Sequence, residues 1–209
     1  MAITKLSASG VVNFVKYRSM LAGNPPYEPP ALSDYDLLET EILTGTQASV
    51  TFSSLDSTYG ADYQHLQIRT TARSDRASDT NSRLYLRFNS DSGANYFSHE
   101  LGGTGSSVFS AYINSYTGSY NTGIVNIHTT PASSAATNVF GACVYDILDP
   151  FETTKYTTTR FFGGQAQSHN RVVLVSGAWA NTDALTSITI TDIHGNLISG
   201  SRFTLIGLK

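Results

Sequence analysis

Residues 62–99, DYQHLQIRTTARSDRASDTNSRLYLRFNSDSGANYFSH, decide the fold. Leu66, Ile68, Thr70 and Ala72 alternate with Gln67, Arg69, Thr71 and Arg73. Leu84, Leu86 and Phe88 alternate with Arg83, Tyr85, Arg87 and Asn89. Alternation with a period of two predicts strands that turn one face to a core and the other to water. The intervening stretch 74–82 has no apolar residue larger than alanine, and Asn89–Gly93 (NSDSG) is turn chemistry throughout. Five of the thirteen basic residues (Arg69, Arg73, Arg76, Arg83, Arg87) fall here, which predicts a sheet whose outer face carries arginine and tyrosine.

The rest of the chain has the same character. Only 14% of its 209 residues are charged, and the polar remainder is rich in Ser, Thr, Asn and Gly. The apolar content leans on 12 Tyr and 10 Phe, against 2 Met and 1 Trp. This is the composition of strands and turns, and the length suffices for one all-β domain with a real core, or at a stretch two small ones. The net charge of −3 supplies no steering field for nucleic acid, although the arginines would form a local anion patch if they clustered. Cys143 is the sole cysteine, so an intramolecular disulfide is impossible, and its apolar surroundings predict a buried inert thiol. Apolar runs are far too short to span a bilayer as a helix, and the N-terminal stretch is too broken for a signal-peptide core. Membrane insertion is not expected.

From residue 38 onward, strand candidates follow one another at 38–44, 47–53, 63–73, 83–89, 94–99, 107–113, 123–129, 138–147, 155–162, 171–179, 185–193 and 202–208. Their spacing, with Gly, Ser, Asn and Asp between them, predicts an all-β fold: an antiparallel β-sandwich, jelly-roll-like, over 38–209. Val50, Phe52, Leu66, Ile68, Leu84, Leu86, Phe88, Ile188, Ile190, Phe203 and Leu205 should face inward. Arg171-Val-Val-Leu-Val175 lacks alternation and reads as a central strand covered on both faces. His194-Gly195-Asn196 reads as a hairpin turn.

Residues 1–37 differ. The run 24–30 holds four of the six prolines, so it is extended and cannot enter a sheet interior. Ahead of it, VVNFVKYRSML is the one segment with the makings of a short helix. Phe14, Tyr17, Tyr27 and Tyr35 are expensive to leave in water, and with Leu21 they predict an extended N-terminal arm that docks on a partner; the bland alternative is a frayed tail.

Signals for chemistry are weak. No G-x-S-x-G elbow occurs, and no helix is available to close a phosphate-binding loop. The five histidines are scattered, so no metal site is expected. Asn89–Gly93 with Glu100 lacks the spacing of a calcium loop. Asp146, Asp149 and Glu152 gather around Pro150 as a turn would require. Neither a cofactor nor enzymatic activity is expected. The best binding signal is tyrosine beside Ser/Gly/Asn-rich loops. Tyr85, Tyr112, Tyr116 and Tyr120, with Tyr96, are the candidates for contact with a glycan or a partner chain.

Two segments resemble a domain common in structural proteins of tailed bacteriophages. Between Tyr63 and Asn95 lie a strand ending L-x-I-R (66–69) and the strand L-x-L-R-F-N (84–89), followed by the turn D-x-G-x-N-Y (91–96). Residues 176–209 close with G-S-R-F-x-L-x-G (200–207). The resemblance covers roughly residues 45–209 and leaves the arm unmatched. It implies a β-sandwich virion protein, assembled in the host cytoplasm, often a homotrimer, in tail fibres, appendages or capsid decoration. The arm would then contact other virion proteins, and the tyrosine-rich loops a host surface polysaccharide. The alternatives are a capsid decoration (cement) protein and a carbohydrate-binding module. The resemblance brings no catalytic residues with it.

Overall fold

The computed structural model describes residues 34–112, 122–166 and 170–209. Twelve strands occur in this part: β1 Tyr35–Ile42, β2 Ser49–Ser53, β3 His65–Ala72, β4 Asn81–Phe88, β5 Tyr96–Gly103 and β6 Val108–Tyr112 in the first half. The second half holds β7 Ile124–Pro131, β8 Gly141–Leu148, β9 Thr157–Gln165, β10 Arg171–Trp179, β11 Ser187–Asp192 and β12 Arg202–Leu208. Each overlaps a strand expected from the sequence, with ends shifted by up to four residues. One five-residue helix, α1 (Leu55–Tyr59), was not anticipated, because one turn is too short to show a helical period. The first boundary also moves. Tyr35, Asp36 and Leu37, assigned to the arm by sequence, form the start of β1. Phe14, Tyr17, Leu21 and Tyr27 lie outside the described residues.

All pairings are antiparallel and build two sheets, which stack as a β-sandwich. The large sheet has the order β1-β12-β3-β8-β9-β10-β5-β6, and the small sheet β2-β11-β4-β7. The eleven residues expected inward are all buried, and together with Tyr96, Tyr145, Phe161 and Trp179 they form one apolar core between the sheets. Cys143 is buried within it, its sulfur 3.4 Å from the Thr129 hydroxyl.

Two local expectations are corrected. His194-Gly195-Asn196 does not close a hairpin. β11 belongs to the small sheet and β12 to the large one, so this turn carries the chain across the sandwich. It is fastened by Asp75, whose carboxylate accepts from the Asn196 amide N–H (2.6 Å) and side chain (3.0 Å), and by Asp192 Oδ1, which accepts from His194 and Gly195 N–H. β10, in turn, is central within its sheet but covered on one face only. Val173 and Val175 are buried, while Val172 and Leu174 are half exposed. Four β-branched or aliphatic residues in a row hid an ordinary alternation.

The Asn89–Gly93 turn is tied to the sandwich by side-chain hydrogen bonds. Asn89 and Ser90 adopt positive φ (49° and 57°), a conformation Asn tolerates better than most residues. The Asn89 side chain accepts from Thr186 and Ser187 N–H and donates to the Ala184 carbonyl. Asp91 accepts from Gly93 N–H, the Asn95 amide and, at 2.7 Å, the Trp179 indole N–H. Tyr96 completes the knot. Its hydroxyl donates to the Asp91 carbonyl and accepts from Phe88 N–H, and burial pushes its phenol up to about 12.

These carboxylates give stability a pH dependence. Burial alone would raise Asp91, but the bonds from Asn95, Trp179 and Gly93 and the Arg87 charge outweigh it and hold the group below the usual carboxylate range. Asp75 is lowered by Asn196, and Asp149 chiefly by Lys155. A folded-state pKa below the unfolded value of about 3.9 stabilises fully above that value and loses the contribution as pH falls through the folded pKa. Glu100 acts in the opposite sense, because burial raises its carboxyl against the pull of Arg171 and Arg83. Three lowered groups against one raised group predict a melting temperature that drops below about pH 4. Asp91→Asn should flatten that drop in melts recorded from pH 5 to pH 2, and an unchanged slope would exclude Asp91 as a contributor.

Candidate functional site

Any contact surface must lie on faces the sandwich leaves uncovered. The outer face of the large sheet is the more informative, because its side chains can be followed strand by strand through the register. Val144 on β8 pairs with Phe162 on β9, Phe162 with Leu174 on β10, and Leu174 with Leu101 on β5. These four outward residues stand side by side across four strands, a row about 14 Å from first to last at the usual strand spacing. Phe162, Leu101 and Leu174 are 58, 56 and 47% exposed. Covering the remaining half of each such side chain would contribute on the order of 1 kcal/mol. Scattered apolar residues on a surface need no explanation, but a contiguous strip does.

The strip has a border on each side. Toward one strand end the next outward row is Ala142, Gly164, Val172, Gly103 and Val108, with Val108 86% exposed. Ala142 and Gly164 are small, so the surface dips there into an open depression of about 450 Å³ walled by Arg69, Thr71, Val144, Phe162 and Val172. Gly164 is required, since a Cβ there would stand 2.5 Å from the Arg171 carbonyl oxygen. Toward the other end the row is polar: Gln67, Asp146, Arg160, Ser176, His99 and Tyr112. Part of it is one hydrogen-bonded chain. Tyr35 Oη and Arg69 Nε donate to Gln67 Oε1, Gln67 Nε2 donates to Asp146 Oδ1, and Arg160 Nη2 reaches Asp146 Oδ2 at 3.1 Å. Arg69 also lies over the Tyr35 ring, 5.3 Å from its centroid.

The acidic residues around Pro150 are occupied in the same local way. Asp146 is held by Gln67 and Arg160. Asp149 accepts from Lys155 Nζ and from Gln64 Nε2, with His65 Nδ1 3.3 Å away. Among the described residues no group of three His, Cys, Asp or Glu side chains is disposed to hold a metal ion, and no helix is long and apolar enough to cross a membrane.

The tyrosine candidates separate. Tyr112, at the end of β6, is 50% exposed. Tyr85 occupies an outward position of β4 but is buried, with Gly123 so close that a Cβ there would lie 3.4 Å from Tyr85 Cγ. Tyr96 faces the core. Tyr116 and Tyr120 lie outside the described residues. Arg73 is a further correction. Expected on the solvent face, it is buried at the end of β3, and its guanidinium donates to the carbonyls of Ala135, Ala136 and Val139. The apolar strip itself escaped the sequence reading. Its signal was present in the outward phase of β5, β9 and β10, but it emerges only when those strands are placed side by side.

No family model and no curated protein matches the chain.

Proposed function

We propose that the chain is a non-enzymatic structural protein of a tailed-bacteriophage virion: a homotrimeric, tail-associated appendage exposed on the particle. The observation that carries this reading is the half-exposed apolar strip on the large sheet. A built, contiguous apolar surface on a rigid sandwich suits a subunit that works in an assembly. The likeness of segments 63–95 and 176–209 to phage structural domains supplies the class. In this reading the apolar, proline-bearing residues ahead of β1, with Phe14, Tyr17, Leu21 and Tyr27, dock on other virion proteins. Tyr112, on the edge strand β6 at the margin of the large sheet, is assigned to host surface glycan, together with Tyr116 and Tyr120 of the sequence that follows.

The test is peptide mass spectrometry on particles purified through a density gradient. Peptides of this chain should band with the particles at constant stoichiometry. A chain lacking residues 1–30 should be made and folded but missing from them. Copy number then separates two versions of the reading: a few to a dozen per particle fits an appendage, and hundreds fit capsid decoration. If the full chain is absent from purified particles, the proposal fails.

A further inference from the structure

We infer that copies of this chain associate through the outer face of the large sheet, with the strip Val144–Phe162–Leu174–Leu101 at the centre of the contact. The inference rests on the self-association in the proposed function and assigns it a surface.

Three features favour a second copy as the occupant. The first is size. Eight strands at the usual spacing are about 38 Å wide, and eight-residue strands about 27 Å long, a face of about 1,000 Å². A standard protein–protein contact needs about 800 Å² from each partner. The second is shape. Phe162 and Val172 stand beside the depression floored by Ala142 and Gly164, so projection and hollow are neighbours on one surface. Association of copies through one shared face requires that face to carry both halves of the fit. The third is charge. Asp146 is already paired with Arg160, and the other cations of the face, Arg69 and Arg202, lie on β3 and β12 to one side of the strip, so the strip itself carries no charge to select an oppositely charged partner. Nor does the strip suit a sugar, which needs donors and acceptors aimed at its hydroxyls. Val, Phe and Leu side chains provide none.

The test is sedimentation velocity on the full chain at micromolar concentration. Wild type should sediment as the oligomer. Leu174→Glu, at a half-exposed position outside the core, should raise the dissociation constant at least about 30-fold, the size of a hot-spot loss, and sediment as the monomer. Its far-UV circular dichroism should stay that of wild type. If Leu174→Glu does not fold, Leu101→Thr places a strand-forming polar residue in the same strip and should weaken association in the same direction. Thr51→Glu, exposed on β2 of the small sheet, should leave the oligomer intact. A folded Leu174→Glu protein that keeps the wild-type mass overturns the assignment while leaving self-association standing. A wild-type dimer split by Leu174→Glu supports the surface and overturns the trimer. A wild-type monomer, or an oligomer lost equally in Thr51→Glu, overturns the inference.

Discussion

Trp179→Ala should destabilise the protein by about 3–5 kcal/mol, among the largest losses available to one substitution in this core. Trp179 is fully buried at the end of β10. Its ring meets Phe88 of the small sheet edge-on at 5.8 Å and stacks with Tyr96 at 6.5 Å. It thus joins both sheets to the 89–95 turn, and its indole N–H serves Asp91. Alanine would leave a cavity and take a donor from a part-buried carboxylate. Trp179→Phe separates the two effects. It keeps most of the ring packing and removes the charge-assisted hydrogen bond, so its loss should be nearer about 1.5–3 kcal/mol. Denaturant titrations followed by circular dichroism give both values. Tryptophan fluorescence cannot follow the variants, because Trp179 is the only tryptophan in the chain. A loss below about 1 kcal/mol for Trp179→Ala would show that the site collapses around the smaller side chain.

Arg73→Met should cost about 3 kcal/mol or more, from a position that a strand pattern marks as tolerant. The guanidinium bonds three carbonyls of the 135–139 turn, at 3.0 Å to Ala135, 2.6 Å to Ala136 and 3.0 Å to Val139. Methionine keeps much of the aliphatic stem and provides no donor. Each acceptor left unsatisfied in a buried setting costs about 1–3 kcal/mol, less whatever water recovers. Arg73→Lys should restore only part of the loss, because an ammonium cannot span three acceptors as a planar fork does. Denaturant titration measures the total, and amide hydrogen exchange across residues 132–140 localises it. The exchange should accelerate there ahead of the core strands. Uniform acceleration over the whole chain would mean that Arg73 supports the sandwich in general and not this turn.

The twelve strands and the inward side of the tested ones were legible in the sequence. Whether Ile68 or Arg69 faces the core is decided by residues two apart, and the pleat converts that spacing directly into a side of the sheet. The N-terminal limit of the sandwich was legible only to within a few residues, because nothing in Tyr35-Asp36-Leu37 distinguishes a strand start from the end of a linker. The apolar strip was not legible, although each of its residues was in plain view.

What the sequence determined by itself is therefore local: where strands begin and end, which phase of each is apolar, and where Asn, Asp and Gly let the chain turn. What only the tertiary structure decided is what lies opposite each face. Neighbouring strands β11 and β12 enter different sheets, and Arg73 is held by a turn more than 60 residues away in the chain. Asp91 finds its indole partner 88 residues along, and Phe162, Leu174 and Leu101 become one surface through register alone. A period of two states that the faces of a strand differ. Which of them meets water depends on how distant strands pair and on what the chain lays over them, and no local window contains that information.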